Sequence, residues 1–294
     1  MNYLLFHVGE LPKHFYTCVN NILSVDKQAR IYLASDKKIN IKNVKVVNIN
    51  EFDSLEYKKK QILSMYKDTN LAMNPLWYTS FLRVFALITV SRNIELKQFV
   101  HFDNDVLIYE PFYKIDEKRV ISKNKINITQ NDEKNLVFGY SYFDSYENLN
   151  YLNDFFEKVL NNHTEFANNF NRGKNLNEMR ILSLALEHNP NSFSILPSLP
   201  YQGEIIFDPA SYGQFLNGTD LKRGNHIFKR RYISTNQTVG RELKSKRISV
   251  KFENGRPVVI FENKPFDLMN LHVHSKNLNK FVSKDYKNYI RNID

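Results

Sequence analysis

Apolar residues in the N-terminal third follow two alternating patterns. Residues 3–9 (YLLFHVG), 29–36 (ARIYLASD) and 44–52 (VKVVNINEF) are short apolar runs closed by polar or turn residues, which predicts buried strands. Between the first two, Phe15, Cys18, Val19, Ile22 and Leu23 fall at helical spacing over residues 13–25. Residues 56–68 and 75–93 repeat the helical period. Pro75 opens the second of these, where a missing N–H costs nothing. Residues 97–105 (KQFVHFDND) read as a further strand. Strand, helix, strand with short links predicts an α/β layered fold.

The second half is less regular. Residues 106–112 predict a short strand broken by Pro111. Residues 114–145 are polar and irregular, apart from a strand over 135–143 (NLVFGYSYF). Helical periodicity returns at 150–162 and 176–189, with 171–175 (NRGKN) as a loop between them. Three prolines and several glycines in 192–220 predict binding loops rather than core elements. In 247–262, two alternating runs flank Asn254–Gly255, the signature of a two-residue hairpin turn. Residues 268–278 (LMNLHVHSKNL) are strand-like, and a basic tail follows. With no internal repeat and no Ser/Gly/Pro linker, a single domain over 1–294 is expected.

Composition narrows the classes. At 42% hydrophobic and 24% charged residues, the chain matches an ordinary soluble protein with ample length for a core. A net charge of +10 favours acidic partners: phosphates, nucleic acid or an anionic membrane. The lysines are scattered and no zinc, RNP or helix-turn-helix signature appears, so no nucleic-acid partner is expected. The one cysteine, Cys18, excludes an internal disulfide, Cys-rich zinc patterns and a CxxC redox motif. The N-terminal decapeptide lacks the basic flank and cleavage site of a signal peptide. No apolar run reaches the ~18 residues of a membrane helix. FLRVFALITV comes nearest, and Arg83 interrupts it. A cytoplasmic protein is expected, with weak contact to anionic membranes through lysines near 277–291.

The candidate chemistry centres on QFVHFDNDVLIYEPF, residues 98–112. Asp103 and Asp105 stand at a strand end, and open α/β sheets bind ligands outside such ends. In an extended segment residues i and i+2 share a face, so the two carboxylates can converge while Asn104 turns away. Paired carboxylates make half of a hard, oxygen-rich site for Mg²⁺ or Mn²⁺, with substrate phosphates supplying other ligands. An Asp-x-Asp arises by chance about once in a chain of this length, so the position carries the reading, not the tripeptide. His272 and His274 share a face by the same rule, and Lys276 follows. Neutral imidazole can complete a carboxylate site, and a lysine can pair with a diphosphate. A histidine in an apolar strand is more often structural.

Taken together, the opening strand–helix–strand, the helix LWYTSFLRVFALI, the motif FVHFDNDVLI and the late LHVHSK resemble metal-dependent nucleotide-sugar glycosyltransferases of the GT-A fold, in bacterial or viral form. The resemblance implies a Rossmann-like mixed sheet flanked by helices, with a C-terminal hairpin. Residues 1–110 would form the nucleotide-binding half and 111–294 the acceptor side. It implies Mn²⁺ or Mg²⁺ on Asp103, Asp105 and His274 (or His272), with His272 otherwise as buried support or donor contact and Lys276 on the diphosphate. Arg83 would reach the donor or the aspartates. His7, Gly9 and Asn104 join the donor-binding set. The segment IIFDPASYGQFLNGTD would line the sugar pocket through Asp208, Tyr212 and Gln214, while Gly213 and Gly218 permit close backbone approach.

Glu178 and Asp208 are then the acceptor-side acids, either of which could serve as base if configuration inverts. Glu178 also reads as a helix-start carboxylate, and Asp208–Pro209 as a turn. LHVHSK departs from the HxxGxxK spacing of the glycogenin-like retaining enzymes, which leaves the stereochemistry open. The implied activity is sugar transfer, from a UDP-sugar by preference, to a hydroxyl of a glycan or glycolipid, as in polysaccharide biosynthesis. The alternatives are a basic nucleic-acid-binding protein and a non-catalytic sugar-nucleotide-binding relative.

Overall fold

The apolar runs of the N-terminal third assemble side by side in the computed structural model, which describes residues 1–67, 75–219 and 232–291. Asp68 and Asp220, which end a predicted helix and a predicted loop, lie outside the described residues. Strand β1 (Asn2–His7) leads through helix α1 (Lys13–Val25) to β2 (Arg30–Ser35) and then β3 (Val44–Asn48). Helices α2 (Asp53–Tyr66) and α3 (Pro75–Asn93) precede β4 (Phe99–His101). These four strands lie in the order β3-β2-β1-β4, and every pair is parallel.

Beyond β4 the chain turns into β5 (Val106–Ile108) and a short α4 (Phe112–Glu117). Strands β6 (Ile126–Asp132) and β7 (Asn135–Phe143) then return to the sheet, β7 antiparallel to both β4 and β6. Helices α5 (Tyr146–Asn161), α6 (His163–Asn171) and α7 (Glu178–His188) lead to the edge strand β8 (Phe193–Leu196), parallel to β6. The result is a seven-stranded mixed sheet, β3-β2-β1-β4-β7-β6-β8. The α/β mixed sheet flanked by helices that the sequence predicts is the architecture found.

Two apolar clusters cover the sheet, and β1 shows why its run is continuous. Tyr3 and Leu5 join the cluster containing Phe15, Val19 and Ile22 of α1. Leu4, between them, joins the cluster containing Phe81, Phe85 and Phe156 of α3 and α5. Successive side chains of a strand point to opposite faces, so a strand covered on both sides must be apolar throughout.

The C-terminal third adds α8 (Ser211–Asn217), α9 (Thr238–Lys244), a three-stranded antiparallel sheet of β9 (Ile248–Glu253), β10 (Arg256–Phe261) and β11 (Lys264–Asp267), then β12 (Asn270–His272) and α10 (Lys284–Arg291). The predicted hairpin is present: Asn254 and Gly255 have φ of 54° and 82°, both positive as a type I′ turn requires. Glu262 and Asn263 repeat this at 49° and 61° between β10 and β11, without a glycine to announce it. β12 joins neither larger sheet. It pairs antiparallel with β5, opposing His272 to Val106.

Three expectations are corrected. Residues 211–217, predicted as loop, form α8. β6 lies in the stretch that reads as irregular, because INITQND places polar residues on a strand whose neighbours, not its pattern, make it one. The strand predicted over 97–105 ends at His101, and the two aspartates sit on a turn. Among the described residues, no helix is long and apolar enough to cross a membrane.

Candidate functional site

The turn that carries the aspartates is held from three directions. The Asp103 N–H donates to the Phe138 carbonyl of β7 at 3.2 Å, and the Val106 N–H closes the turn on the Asp103 carbonyl at 3.1 Å. On the β12 side, the Val273 N–H donates to the Asp105 carbonyl at 2.8 Å. On the other edge of β5, the buried Asn21 side chain of α1 replaces a neighbouring strand. Its Oδ1 accepts from the Ile108 N–H at 2.7 Å, and its Nδ2 donates to the Ile108 carbonyl at 3.1 Å. A turn, not the alternation of an extended segment, brings the two carboxylates together.

His272 completes the group. Its Nε2 lies 3.0 Å from Asp105 Oδ1 and 3.8 Å from Asp103 Oδ2. Ligand atoms of Asp103, Asp105 and His272 all fall within 4.8 Å of one another, the group of this kind found among the described residues. Separations near 3 Å suit neighbouring ligands on a divalent ion with bonds of ~2.1 Å. Two oxygens and one imidazole nitrogen make a mixed donor set that could hold a divalent ion. His272 Nδ1 is buried without a hydrogen-bond partner.

The sequence reading favoured His274 over His272 at the ion; the imidazole brought together with the two aspartates here is that of His272. β12 ends at His272, and the chain bends at once, the His274 N–H meeting the His272 carbonyl at 3.1 Å. The rings do share a face, stacked at 4.4 Å and 26°. Burial, then the neighbouring His272, push the His274 imidazole down to about 3, so it stays neutral. For His272, burial is outweighed by Asp105, and its imidazole is raised above the usual range.

Two cations close the site. Arg83 of α3 bridges Asp103 and Glu178, with its Nη2 2.8 Å from Glu178 Oε1 and its guanidinium 4.8 Å over the Phe138 ring. Lys276 pairs with Asp105. Burial alone would raise the Asp105 carboxyl, but His272 and Lys276 hold it well below the usual carboxylate range. Despite burial, Asp103 and Glu178 keep Arg83 firmly protonated. Glu178 opens α7 as the helix-start reading expects, after Asn177, whose side chain caps the Arg180 N–H at 2.9 Å. Burial pushes the Glu178 carboxyl up to about 7, against the pull of Arg83. Only 4% exposed, it stands behind Arg83 as seen from Asp103, its Oε1 accepting from Arg83 Nη2.

Asn104 does turn away from its flanking aspartates, and it has partners there. Its Nδ2 donates to His7 Nδ1 at 3.0 Å, and its Oδ1 accepts from His14 Nε2 at 3.2 Å. His7 Nε2 then donates to the Glu10 carbonyl at 2.9 Å, which fixes its tautomer. His14 is a site residue that sequence reasoning missed. It occupies the first turn of α1 as an isolated histidine between Lys13 and Phe15, with no pattern to mark it. The Gly9 N–H donates to Asp36 Oδ1 at 2.8 Å, tying the end of β1 to that of β2.

Asp208, expected as an acceptor-side acid, is engaged by the chain's own backbone. Fully buried, its Oδ1 accepts from the N–H groups of Ala210, Ser211 and Tyr212 at 2.7–2.9 Å, and its Oδ2 from Gly213 at 2.9 Å and His272 at 3.0 Å. Five backbone donors leave no lone pair for an acceptor's proton. Asn270 locks the same turn, accepting from the Asp208 N–H and donating to the carbonyls of Asp208 and Gly139. Tyr212, expected to line the sugar pocket, is fully buried, its hydroxyl donating to the Ser198 carbonyl at 2.8 Å. Gly213 does permit close approach: a Cβ there would lie 1.9 Å from the His272 carbonyl oxygen. Gly218 adopts a φ of 75° just past α8. Gln214 is buried, and its Oε1 has no hydrogen-bond partner.

No protein-family model and no curated protein matches the chain. Among solved structures it is similar to apo mouse xyloside xylosyltransferase 1, at 10% identity over 67% of this chain and 86% of that one, with a TM-score of 0.43. It is similar to the galactosyltransferase LgtC in complex with donor and acceptor sugar analogues, at 10% identity over 67% and 74%, TM-score 0.43. An active-site mutant of LgtC gives 10% identity over 77% and 80%, TM-score 0.46. At this level the likeness bears on no residue.

Proposed function

We propose that the protein is a metal-dependent glycosyltransferase of the GT-A kind, moving a sugar from a UDP-sugar donor to a hydroxyl of a glycan or glycolipid. The observation that carries this reading is the Asp103–Asp105–His272 group at the carboxyl end of β4, beside β1, flanked by Arg83 and Lys276. Carboxyl ends of parallel strands are where such sheets take their ligands. Asp103, Asp105 and His272 would hold Mn²⁺ or Mg²⁺, which when bound supplies a concentrated positive charge to a diphosphate.

The chain's own part follows from charge. Breaking the bond from sugar to diphosphate leaves negative charge on the departing oxygen. Lys276 at the mouth of the site and Arg83 beneath it face that charge. Preorganised cations favour the transition state over the ground state, because the charge they meet is still growing. Glu178 positions Arg83 without touching substrate. The Asn104 pair of imidazoles keeps the ends of β1 and α1 in register with the turn, on the side where the nucleotide would lie. Gln214 Oε1, unpartnered, would accept a sugar hydroxyl.

The test is calorimetric titration of UDP with and without Mn²⁺, followed by hydrolysis of UDP-sugars without acceptor. Mn²⁺-dependent UDP binding with slow hydrolysis is the expected result. Binding of UDP indifferent to Mn²⁺, alongside salt-sensitive binding of nucleic acid, would overturn the reading.

A further inference from the structure

The carboxylates of the 103–105 turn are already engaged by the chain's own donors. Arg83 takes Asp103 Oδ1, Lys276 takes Asp105 Oδ2, and His272 stands 3.0 Å from Asp105 Oδ1. A divalent ion entering this group must compete with them. The two cations differ in exposure. Arg83 is backed by Glu178 and 10% exposed, whereas the Lys276 side chain is 36% exposed and arrives on a long stem from the end of the 272–276 segment. Lys276 is therefore the cation able to leave Asp105.

Resting on the proposed reading of the site, we infer that Lys276 is an exchangeable internal cation. It neutralises Asp105 when no divalent ion is bound, and moves to the donor diphosphate when the ion takes its place. Charge balance gives the reason. Asp103 and Asp105 already face Arg83 and Lys276, so a divalent ion entering alone adds positive charge to a site that holds two cations. Uncompensated charge in such surroundings is costly. A nucleoside diphosphate brings the missing negative charge and gives Lys276 somewhere to go. Metal and nucleotide thus bind with positive coupling, and each tightens the other by the same factor.

The test is Mn²⁺ titration of the full chain, with and without UDP, for the wild type, Lys276→Met and Lys276→Arg. The wild type should bind Mn²⁺ weakly alone and roughly 5–150-fold more tightly with UDP, the usual span of such couplings. Lys276→Met should bind Mn²⁺ more tightly than the wild type in the absence of UDP, with most of the coupling lost. Lys276→Arg, which keeps the cation, should retain it. Lys276→Met binding Mn²⁺ no more tightly than the wild type would overturn the exchange while leaving the proposed function standing. Wild-type Mn²⁺ affinity that ignores UDP would overturn it whatever the variants do. No Mn²⁺ binding by the wild type under either condition would overturn both the exchange and the reading it rests on.

Discussion

Gly213 of α8 and the carbonyl of His272 in β12 meet so closely that a Cβ on residue 213 would lie 1.9 Å from the oxygen. Helix and strand touch backbone to backbone, and this contact sets where the His272 imidazole stands. Gly213→Ala must push one element off the other. We predict a loss of about 1–3 kcal/mol in stability, the usual cost of overpacking, together with weaker Mn²⁺-dependent UDP binding. Thermal melts and calorimetry check both; unchanged values would mean that the contact has slack.

The two late histidines should separate on mutation. His272→Ala removes the imidazole nitrogen that reaches both aspartates, so Mn²⁺ affinity should fall at least as far as the roughly 10–100-fold seen for lost outer partners of metal sites. His274→Ala removes only the stacked ring and should cost less. Mn²⁺ titration of both variants decides the order, and a larger loss for His274 would restore it to the ion.

The aspartates should separate by stability. Both Asp103→Asn and Asp105→Asn should abolish Mn²⁺-dependent UDP binding. Asp105 is 2% exposed and holds two partners, so its replacement should also destabilise by on the order of 3 kcal/mol, as when one member of a buried pair is removed. Asp103, at 34%, should cost less. Chemical denaturation of the two variants measures the difference.

Glu178 makes stability depend on pH. Its carboxyl, raised by burial to about 7, keeps a proton in the folded chain that the unfolded chain has already lost. Folding then takes up a proton, so this contribution is full at low pH and is lost as pH rises through roughly 4.5 to 7. Glu178→Gln keeps the Arg83 contact without the titration. Melting temperatures across that window should fall with pH in the wild type and flatten in the variant; parallel profiles would show that another group sets the slope.

The C-terminal surface should sense anionic lipid weakly. Lys284, Lys287 and Arg291 lie on α10, a helix with no buried residue, and Lys280 precedes it. Basic residues near such a surface contribute about 1 kcal/mol each. Sedimentation with vesicles of rising phosphatidylserine content should show graded binding that added salt reverses. Indifference to lipid charge would leave these lysines another use.

The sequence by itself determined the parts of the fold that depend on local periodicity. β1, α1, β2, β3, α3 and the Asn254–Gly255 hairpin are legible because hydrophobic period and turn chemistry act within a few residues. It also put the candidate chemistry at the end of β4 and in residues 272–276, since acids among apolar residues are conspicuous. Tertiary structure decided everything that depends on what meets what. β6 is a strand because β7 and β8 flank it. Which histidine faces the aspartates followed from where β12 stops pairing with β5, a boundary that alternation cannot show. Asp208 became an anchor once five N–H groups closed on it, and Glu178 came to stand behind Arg83 only when α7 packed beside α3. Local pattern selects elements because each residue carries its own preference, whereas the partners of a buried charge come from segments 95 or 171 residues away and exist only after the chain has folded.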